Sequence, residues 1–343
     1  MNELDKRTIY DVAQRAGVSI TTVSRVINGS TSVSAKTREN VENVMRLMNY
    51  RPSAIAKGLS SYKTNTLGII LPKLTNPNYA LIFNGAYEEA RANGYVLSLF
   101  PWKSLYSDSY NPAYMLAERR LDGVIINMEF APADEEEELK KALEELHRYM
   151  PVVLIGCVPG NLPYPCLRYN HAETMLKIME TLTKLGHERI AFIGGVQGDD
   201  YEFNRDAGYM AGLKAAGLPY VADYRVYCDA TVAGGETAML TLLDSLKPKY
   251  RPTAVIAIND LVAFGCQFAA VNRGLSVPGG ISLVGFDHLT LSDYNNPPLS
   301  TVDIKQQSIG KRAVRMLLDG SAEQSYIDCE LLLRGSVAGP KAD

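Results

Sequence analysis

The chain has no apolar run long enough to cross a membrane, and few cysteines for its 343 residues. Its five cysteines are odd in number, widely spaced and never in a Cys-x-x-Cys pair, which argues against a disulfide framework and against a zinc site. The charged N-terminus "MNELDKRTIYDVAQ" differs from a secretory signal, and no stretch reaches the roughly 18 apolar residues of a transmembrane helix. We therefore expect a cytoplasmic protein with no membrane partner.

The sequence also lacks the motifs of common enzyme classes. It contains no Gly-x-Gly-x-x-Gly, no Walker-type phosphate loop and no Gly-x-Ser-x-Gly. Its four histidines show no metal-ligand spacing; they are His147, His171, His187 and His288. We therefore expect no catalytic residues, no metal ion and no cofactor.

Positive charge is concentrated at the start of the chain. Residues 1–63 contain ten lysines and arginines against five acidic residues, although the whole chain has a net charge of −3. A basic head attracts a polyanion, whereas the acidic remainder of the chain repels one. The two parts are thus expected to have different partners.

Three short helices are predicted in this basic head. The stretch "TIYDVAQRAG" begins with a capping-box pattern at Thr8 and Asp11, and it ends at Gly17. A second helix is expected over about residues 19–28, after a tight glycine corner, and a third over about residues 34–48. Three short helices arranged around such a corner are typical of a helix-turn-helix domain.

After residue 63 the pattern changes to apolar strands that alternate with amphipathic helices. The strand candidates are residues 66–72, 94–100, 122–127, 151–156, 189–195, 224–228, 253–259 and 281–287. This alternation predicts an α/β body of doubly wound parallel sheets. A similar order of strand, polar loop, helix and glycine begins at residues 67 and 190, which indicates two lobes with a small-molecule cleft between them.

The segment between head and body is a marginal helix. Pro52 suits a first helical turn, Ile55 and Leu59 are one turn apart, and Gly58 weakens the helix. Such a segment can become ordered only when it is bound.

These patterns divide the chain into four parts. The expected boundaries are a helix-turn-helix domain over residues 1–49, a hinge helix or linker over 50–63, a two-lobed body over 64–336 and a tail over 337–343. Within the body we assign about 64–165 plus 303–325 to the first lobe, and about 166–300 plus 326–336 to the second.

Several motifs match one family in order along the chain. They include "TIYDVAQRAGVSITTVSRVING", "LGHERIAFIGG" and "VPGGISLVGFD". Over essentially its whole length the chain resembles LacI/GalR-type bacterial transcription regulators. The resemblance implies a periplasmic-binding-protein-like body and a homodimeric repressor that binds palindromic double-stranded operator DNA. It also implies a small-molecule effector, which we expect to be a carbohydrate.

The resemblance assigns the second helix of the head to the DNA major groove. Ile20 and Thr21 match the family's variable base-reading positions, and Arg25 matches its base-contacting arginine. Further DNA contacts are expected from the polar residues Ser19, Thr22, Ser24 and Asn28. The alternative is an ordinary exposed helix with an incidental arginine.

In the hinge segment, the resemblance indicates contacts with the minor groove. Ala56 and Leu59 match the residues that enter it, and the leucine would wedge open a central base step. Arg51 and Lys57 would contact phosphates. The alternative for Leu59 is a simple packing role.

Polar effector contacts are expected where strands of the second lobe end. Arg205 matches the family's arginine for polar effector groups, and Asn259 and Asp287 follow predicted strands. An arginine and an aspartate suit the vicinal hydroxyls of a sugar. The alternatives are turn-capping roles for the last two and a surface ion pair for Arg205. Asp260 is expected to cap the following helix instead.

Aromatic effector contacts are less regular. Many relatives place an aromatic ring near the position of Ala230, and some sugar-binding ones have an aspartate at the position of Gly156, so this chain departs at both. Trp102 and Tyr79 are the candidate stacking platforms from the first lobe, with core packing as the alternative for Trp102.

Two other functional classes are alternatives to a DNA-binding regulator. A solute-binding protein without a DNA role would share the two-lobed body, but the basic head and the missing signal sequence argue against it. An α/β enzyme with an accessory domain would need a nucleophile–base pair or a cofactor loop. The tail lacks heptads, which favours a dimer over a coiled-coil tetramer.

Overall fold

The computed structural model describes residues 8–27, 29–50, 63–72, 75–101, 116–128, 136–156, 162–195 and 200–341. The chain divides into two compact units, Met1–Asn65 and Thr66–Asp343. None of the helices in these described ranges is long and apolar enough to span a membrane.

The first unit is built from short helices, as predicted. They are α1 (Ile9–Ala16), α2 (Ile20–Ile27) and α3 (Ala35–Leu47). Thr8 and Asp11 form the predicted capping box, and Gly17 ends α1 with a φ of 65°, which only glycine adopts without strain. Valine side chains from all three helices form the core, among them Val12, Val23, Val26, Val41 and Val44.

Polar side chains of α3 hold the ends of the other two helices. The Arg38 guanidinium donates to the carbonyl oxygens of Val26 and Ser30, at the end of α2. The Asn40 amide donates to the carbonyl oxygen of Ala16, the last residue of α1, at 2.9 Å. These bonds satisfy carbonyl groups that a helix end leaves without an internal partner, so α2 is held firmly on α3.

The second unit alternates strands and helices. Its described strands are β1 (Thr66–Leu71), β2 (Val96–Pro101), β3 (Gly123–Asn127), β4 (Val152–Gly156), β5 (Cys166–Tyr169), β6 (Ile190–Ile193), β7 (Arg225–Val226), β8 (Ala254–Ala257), β9 (Ser282–Val284), β10 (Thr301–Asp303), β11 (Gln324–Ile327) and β12 (Glu330–Leu332). Its described α-helices are α4 (Pro77–Ala92), α5 (Glu136–Tyr149), α6 (His171–Lys184), α7 (Asp200–Ala215), α8 (Val232–Ser245), α9 (Asp260–Asn272), α10 (Thr290–Tyr294) and α11 (Gln306–Asp319).

Two parallel sheets form the two lobes. The first sheet has the order β11-β5-β4-β3-β1-β2, and the second has the order β7-β6-β8-β9. In the middle of the first sheet, Ile69 of β1 lies opposite Leu99 of β2 and Ile125 of β3. Helices cover both faces of such sheets, which is why the central strands are apolar throughout. The α/β class and the two lobes are as predicted.

The lobe boundaries differ from the expected ones. We expected the second lobe to begin at about residue 166 and to include residue 326, but β5 and β11 both belong to the first sheet. These strands pair with each other at its edge, so they are held by main-chain hydrogen bonds formed across the sequence. The chain passes between the lobes after β5 and again at β10 and β12, which pair antiparallel.

Helices α4 and α11 of the first lobe pack unusually closely. A Cβ at Gly85 would overlap the carbonyl oxygen of Gln307, and one at Gly310 would overlap that of Ile82. Outside this contact, Arg315 donates two hydrogen bonds to Glu89 at 2.9 Å. The two glycines therefore set the distance between the helices.

Replacement of Gly85 tests this contact. Gly85→Ala is expected to destabilise the second unit by about 1–3 kcal/mol, because the added methyl group must push two backbones apart. Asn84→Ala, on the exposed side of the same helix, is the matched control. The free energy of unfolding, from urea denaturation followed by circular dichroism, is the measurement, and equal stability of the two variants would contradict the prediction.

Candidate functional site

Helix α2 presents a distinct face to solvent. Val23 and Val26 are buried in the core of the first unit, whereas Ile20, Thr21 and Arg25 are exposed on the opposite side. Ile20 is 40% exposed, which is unusual for an isoleucine on so small a domain. The helix therefore displays an apolar group, a hydroxyl and a guanidinium together.

Local hydrogen bonds fix the start of this helix. The Ser19 hydroxyl accepts from the Thr22 amide at 3.1 Å and shares a hydrogen bond with the Thr22 hydroxyl at 2.9 Å. Ser19 is thus the N-cap of α2, as its place before the helix indicates. Ser24 is half-buried one turn later. A helix of this kind, with its first turns exposed and its length rigidly supported, has the geometry that enters a major groove.

Six of the predicted site residues lie outside the described residues. They are Asn28, Arg51, Ala56, Lys57, Leu59 and Trp102. Their proposed contacts with DNA or effector remain predictions.

Arg205 organises the cleft end of the second lobe. It lies on α7 and is completely buried. Its guanidinium donates to the carbonyl oxygen of Ile258, just after β8, and lies over the ring of Phe286 at 4.0 Å from the centroid. Asn259 and Asp287 are the next residues along the chain from these two contacts. The structure therefore brings the predicted Arg205, Asn259 and Asp287 to one edge of the second sheet.

The capping role predicted for Asp260 is wrong. Asn259, and not Asp260, is the N-cap of α9, because its side-chain oxygen accepts from the Val262 amide at 2.9 Å. Its amide group donates to the carbonyl oxygen of Ala230 at 3.4 Å. The helix begins at Asp260, one residue earlier than a cap at that position would allow, and this frees the Asp260 carboxylate for contacts elsewhere.

The Asp260 side chain is fully buried and hydrogen-bonded. Its carboxylate accepts from the Leu289 amide at 2.8 Å and from the hydroxyls of Ser292 and Thr301. Burial raises its pKa to about 6, even though these three hydrogen bonds act in the opposite direction. These contacts were not predicted, because the donors belong to residues about 30–40 positions away in the sequence and only folding brings them together.

His171 is a further buried group that the sequence analysis did not select. It is the first residue of α6. The centroid of its ring lies 5.1 Å from that of Tyr169 and 6.3 Å from that of Phe286. Burial, and then the positive charge of Arg205, hold the pKa of His171 well below its usual value. It is therefore a neutral ring at neutral pH. Its place directly after a strand was the available signal, but β5 itself was not predicted.

In the first lobe, Tyr79 is a buried residue. Its side chain is only 2% exposed and belongs to the apolar core that includes Ile69 and Ile82. Arg205 and Asp287 are equally buried, so the stacking role of Tyr79 stays a prediction. Two amides also lie at this edge of the first sheet: Asn78 near the start of α4 and Asn127 at the end of β3, both buried.

His187 has a structural role in the second lobe. Its two ring nitrogens bond to the Thr253 hydroxyl at 2.9 Å and to the carbonyl oxygen of Ala338 at 2.8 Å. Burial lowers the pKa of this histidine. The histidine thus fastens the C-terminal segment to the second lobe.

The raised pKa of Asp260 predicts a pH-dependent stability. Between about pH 4 and pH 6 the folded protein binds a proton at Asp260 that the unfolded chain releases, so this group's contribution to stability falls as the pH rises. Relative to Asp260→Asn, the wild type should therefore lose up to about 3 kcal/mol between pH 4 and pH 7. Thermal unfolding across this range is the measurement, with Asp319→Asn at an exposed position as control. A difference that stays constant with pH would contradict the prediction.

Comparison with known proteins agrees with this geometry. Residues 8–53 match the model of bacterial regulatory proteins of the lacI family, and residues 179–337 match a periplasmic binding protein-like domain. Catabolite control protein A of Priestia megaterium is 32% identical over 311 residues, which cover 90% of this chain and 91% of that protein.

Solved structures extend the likeness to the whole fold. The lac repressor dimer bound to operator and the anti-inducer ONPF has a TM-score of 0.85 at 27% identity, covering 97% of this chain and all of that one. The complex of the transcriptional regulator CelR with cellobiose has a TM-score of 0.70 at 27% identity, covering 96% of this chain and all of that one. These scores show that the chain shares its overall fold with both proteins. The chain belongs to the LacI family of bacterial DNA-binding transcriptional repressors, and it is a regulator and not an enzyme.

Proposed function

We propose that the protein is a cytoplasmic homodimer that represses transcription at a palindromic operator. A carbohydrate that binds between its lobes either lowers or raises its affinity for that operator. The exposed face of α2 is the observation that carries the DNA-binding part. Ile20, Thr21 and Arg25 are all exposed on it. In the proposed complex the first two contact base edges, and Arg25 donates two hydrogen bonds to a guanine. In the lac repressor complex the protein is a dimer on its operator.

The remaining DNA contacts follow from the same docking. Ser19, Thr22 and Ser24 lie beside the exposed face and supply hydroxyls for phosphates. Further contacts come from Asn28 and from the hinge residues Arg51, Ala56, Lys57 and Leu59. Two hinge segments, one from each protomer, would widen the minor groove at the centre of the palindrome. We retain the hinge over residues 50–63 and the boundary of the DNA-binding domain at residue 49.

Replacement of Arg25 tests the DNA-binding face. Arg25→Ala is expected to weaken specific binding by about 10–100-fold, because a bidentate contact with a base is lost. Arg46→Ala is the matched control: it removes an exposed arginine of the same unit whose guanidinium donates to Asn43 on its own helix. Gel shifts on a duplex from the region upstream of the protein's own gene measure both affinities. Equal losses for the two variants would mean that α2 does not read the site.

The cleft edge supports a neutral, hydroxyl-rich effector. Arg205 offers donors and Asp287 offers acceptors, which together match the vicinal hydroxyls of a sugar. Asn259 lies between these two residues in the sequence, and it is the N-cap of α9. Trp102 is proposed as the stacking surface for the apolar face of the sugar. CelR, which shares the fold, is solved with cellobiose.

A panel of ligands tests the effector. Cellobiose, D-ribose, ONPG, a purine base and a nucleoside are added to the purified protein, and the true effector is expected to raise the melting temperature by mass action. Asp287→Asn should weaken binding of this ligand by about 10–100-fold, because hydrogen bonds to the ionised carboxylate are lost. Asp319→Asn, at an exposed position of α11, is the control.

The outcome also distinguishes the ligand classes. A shift with the purine base or the nucleoside alone would overturn the carbohydrate assignment and leave the repressor assignment intact. A gel shift repeated with the active compound then gives the direction of control, since an inducer lowers operator affinity and a corepressor raises it.

A further inference from the structure

The Asp260 carboxylate joins three separate pieces of the second unit. It accepts from the Leu289 amide, from the Ser292 hydroxyl of α10 and from the Thr301 hydroxyl of β10. We infer that Asp260 is the positioning residue of the effector cleft, which holds the turn that carries Asp287 and ties it to the strand that crosses between the lobes. Only the ligand part of this inference rests on the proposed function.

The turn that carries Asp287 has a backbone that needs support. Asp287 has a φ of 103° and His288 a φ of 51°, so two consecutive residues with side chains lie in the region that favours glycine. Such conformations persist only where the surroundings hold them. The pair includes Asp287, one of the residues proposed above to contact the effector.

Asp260 brackets this strained pair on both sides. Its own amide donates to the carbonyl oxygen of Phe286, the residue before the pair, at 2.7 Å. Its carboxylate accepts from the amide of Leu289, the residue after the pair, at 2.8 Å. One residue at the start of α9 thus fixes both ends of the turn.

The amides inside the turn are held by β10. Asp287 donates its amide proton to the carbonyl oxygen of Val302 at 3.0 Å, and His288 donates its own to the Thr301 hydroxyl at 3.2 Å. That same Thr301 hydroxyl donates to the Asp260 carboxylate. Every amide from residue 287 to residue 289 is therefore bonded either to Asp260 or to the strand that Asp260 anchors.

Space for the carboxylate comes from Gly285. A Cβ at this position would overlap a carboxylate oxygen of Asp260. Gly285 and the Asp260 carboxylate are thus in direct contact. A residue that served only to begin α9 would not require this approach, because Asn259 already caps that helix.

The choice of side chain at position 260 follows from the donors around it. Three donors converge on the carboxylate, and an apolar side chain would leave the Leu289 amide without an acceptor in the interior. An asparagine keeps an oxygen for Leu289 and Ser292, and its amide group can donate to the Thr301 oxygen. Asp260→Asn is therefore the conservative variant, and Asp260→Ala is the disruptive one.

Hydrogen exchange of the full-length protein without ligand tests the positioning directly. In Asp260→Ala, peptides covering residues 285–303 are expected to exchange about ten-fold faster or more, because the bonds that hold the turn are lost. Peptides of α4 and of the C-terminal half of α9 should remain at the wild-type rate. Asp260→Asn should restore slow exchange. Unchanged exchange at 285–303, or an equal increase throughout the second unit, would overturn the inference.

A second variant covers the case in which Asp260→Ala does not fold. Thr301→Val has nearly the same shape but removes the hydroxyl that links His288 to Asp260. It should accelerate exchange at residues 285–289 and leave α4 unchanged. Wild-type exchange at residues 285–289 in this variant would count against the inference in the same way.

Ligand binding separates positioning from general stability. For the compound that raises the melting temperature of the wild type, Asp260→Ala should raise the dissociation constant about ten-fold or more. The dissociation constant of Asp260→Asn should stay close to that of the wild type. Operator affinity without the compound should be the same in all three proteins. Loss of both activities together would indicate a merely structural residue. If no compound in the panel acts on the wild type, the carbohydrate proposal fails and the exchange data still decide the role of Asp260.

Discussion

The burial of the Arg205 guanidinium is the interaction on which the cleft depends. A buried charge is tolerated only when its hydrogen bonds and its surroundings compensate for lost water, and here a carbonyl oxygen after β8 and the ring of Phe286 do so. These partners come from two neighbouring strands of one parallel sheet. The arginine therefore holds together the strand ends from which Asn259 and Asp287 project.

Around this contact, the second lobe uses buried polar groups to maintain a precise backbone. Asp260 is fully buried together with the hydroxyls that it accepts from, and His171 is buried as a neutral ring beside the arginine. Each of these groups costs free energy to bury, and each contributes to a unique arrangement of loops that apolar packing alone would not specify.

The two units rely on different physics. The first unit has a small core of valines and alanines, and its stability depends on helix caps and on Arg38 and Asn40, which bond to the ends of neighbouring helices. The residues proposed to contact DNA lie on the outside of a helix, where sequence periodicity already predicts exposure. In the second unit the residues proposed to contact the effector lie inside, where exposure and contacts depend on partners far along the chain.

Local signals in the sequence by themselves determined the three helices of the head, eight strands of the body and the exposed face of α2, because caps, glycine corners and apolar periodicity act over a few residues. Strands β5, β10, β11 and β12 were not predicted, since they are short and are held by pairing across the chain. Tertiary structure alone decided that Tyr79 is a core residue, that Asn259 and not Asp260 caps α9, and that Asp260 meets Leu289, Ser292 and Thr301. The physical reason is the same in each case: burial and hydrogen-bond partners are properties of neighbours in space, and a sequence without its fold does not contain them.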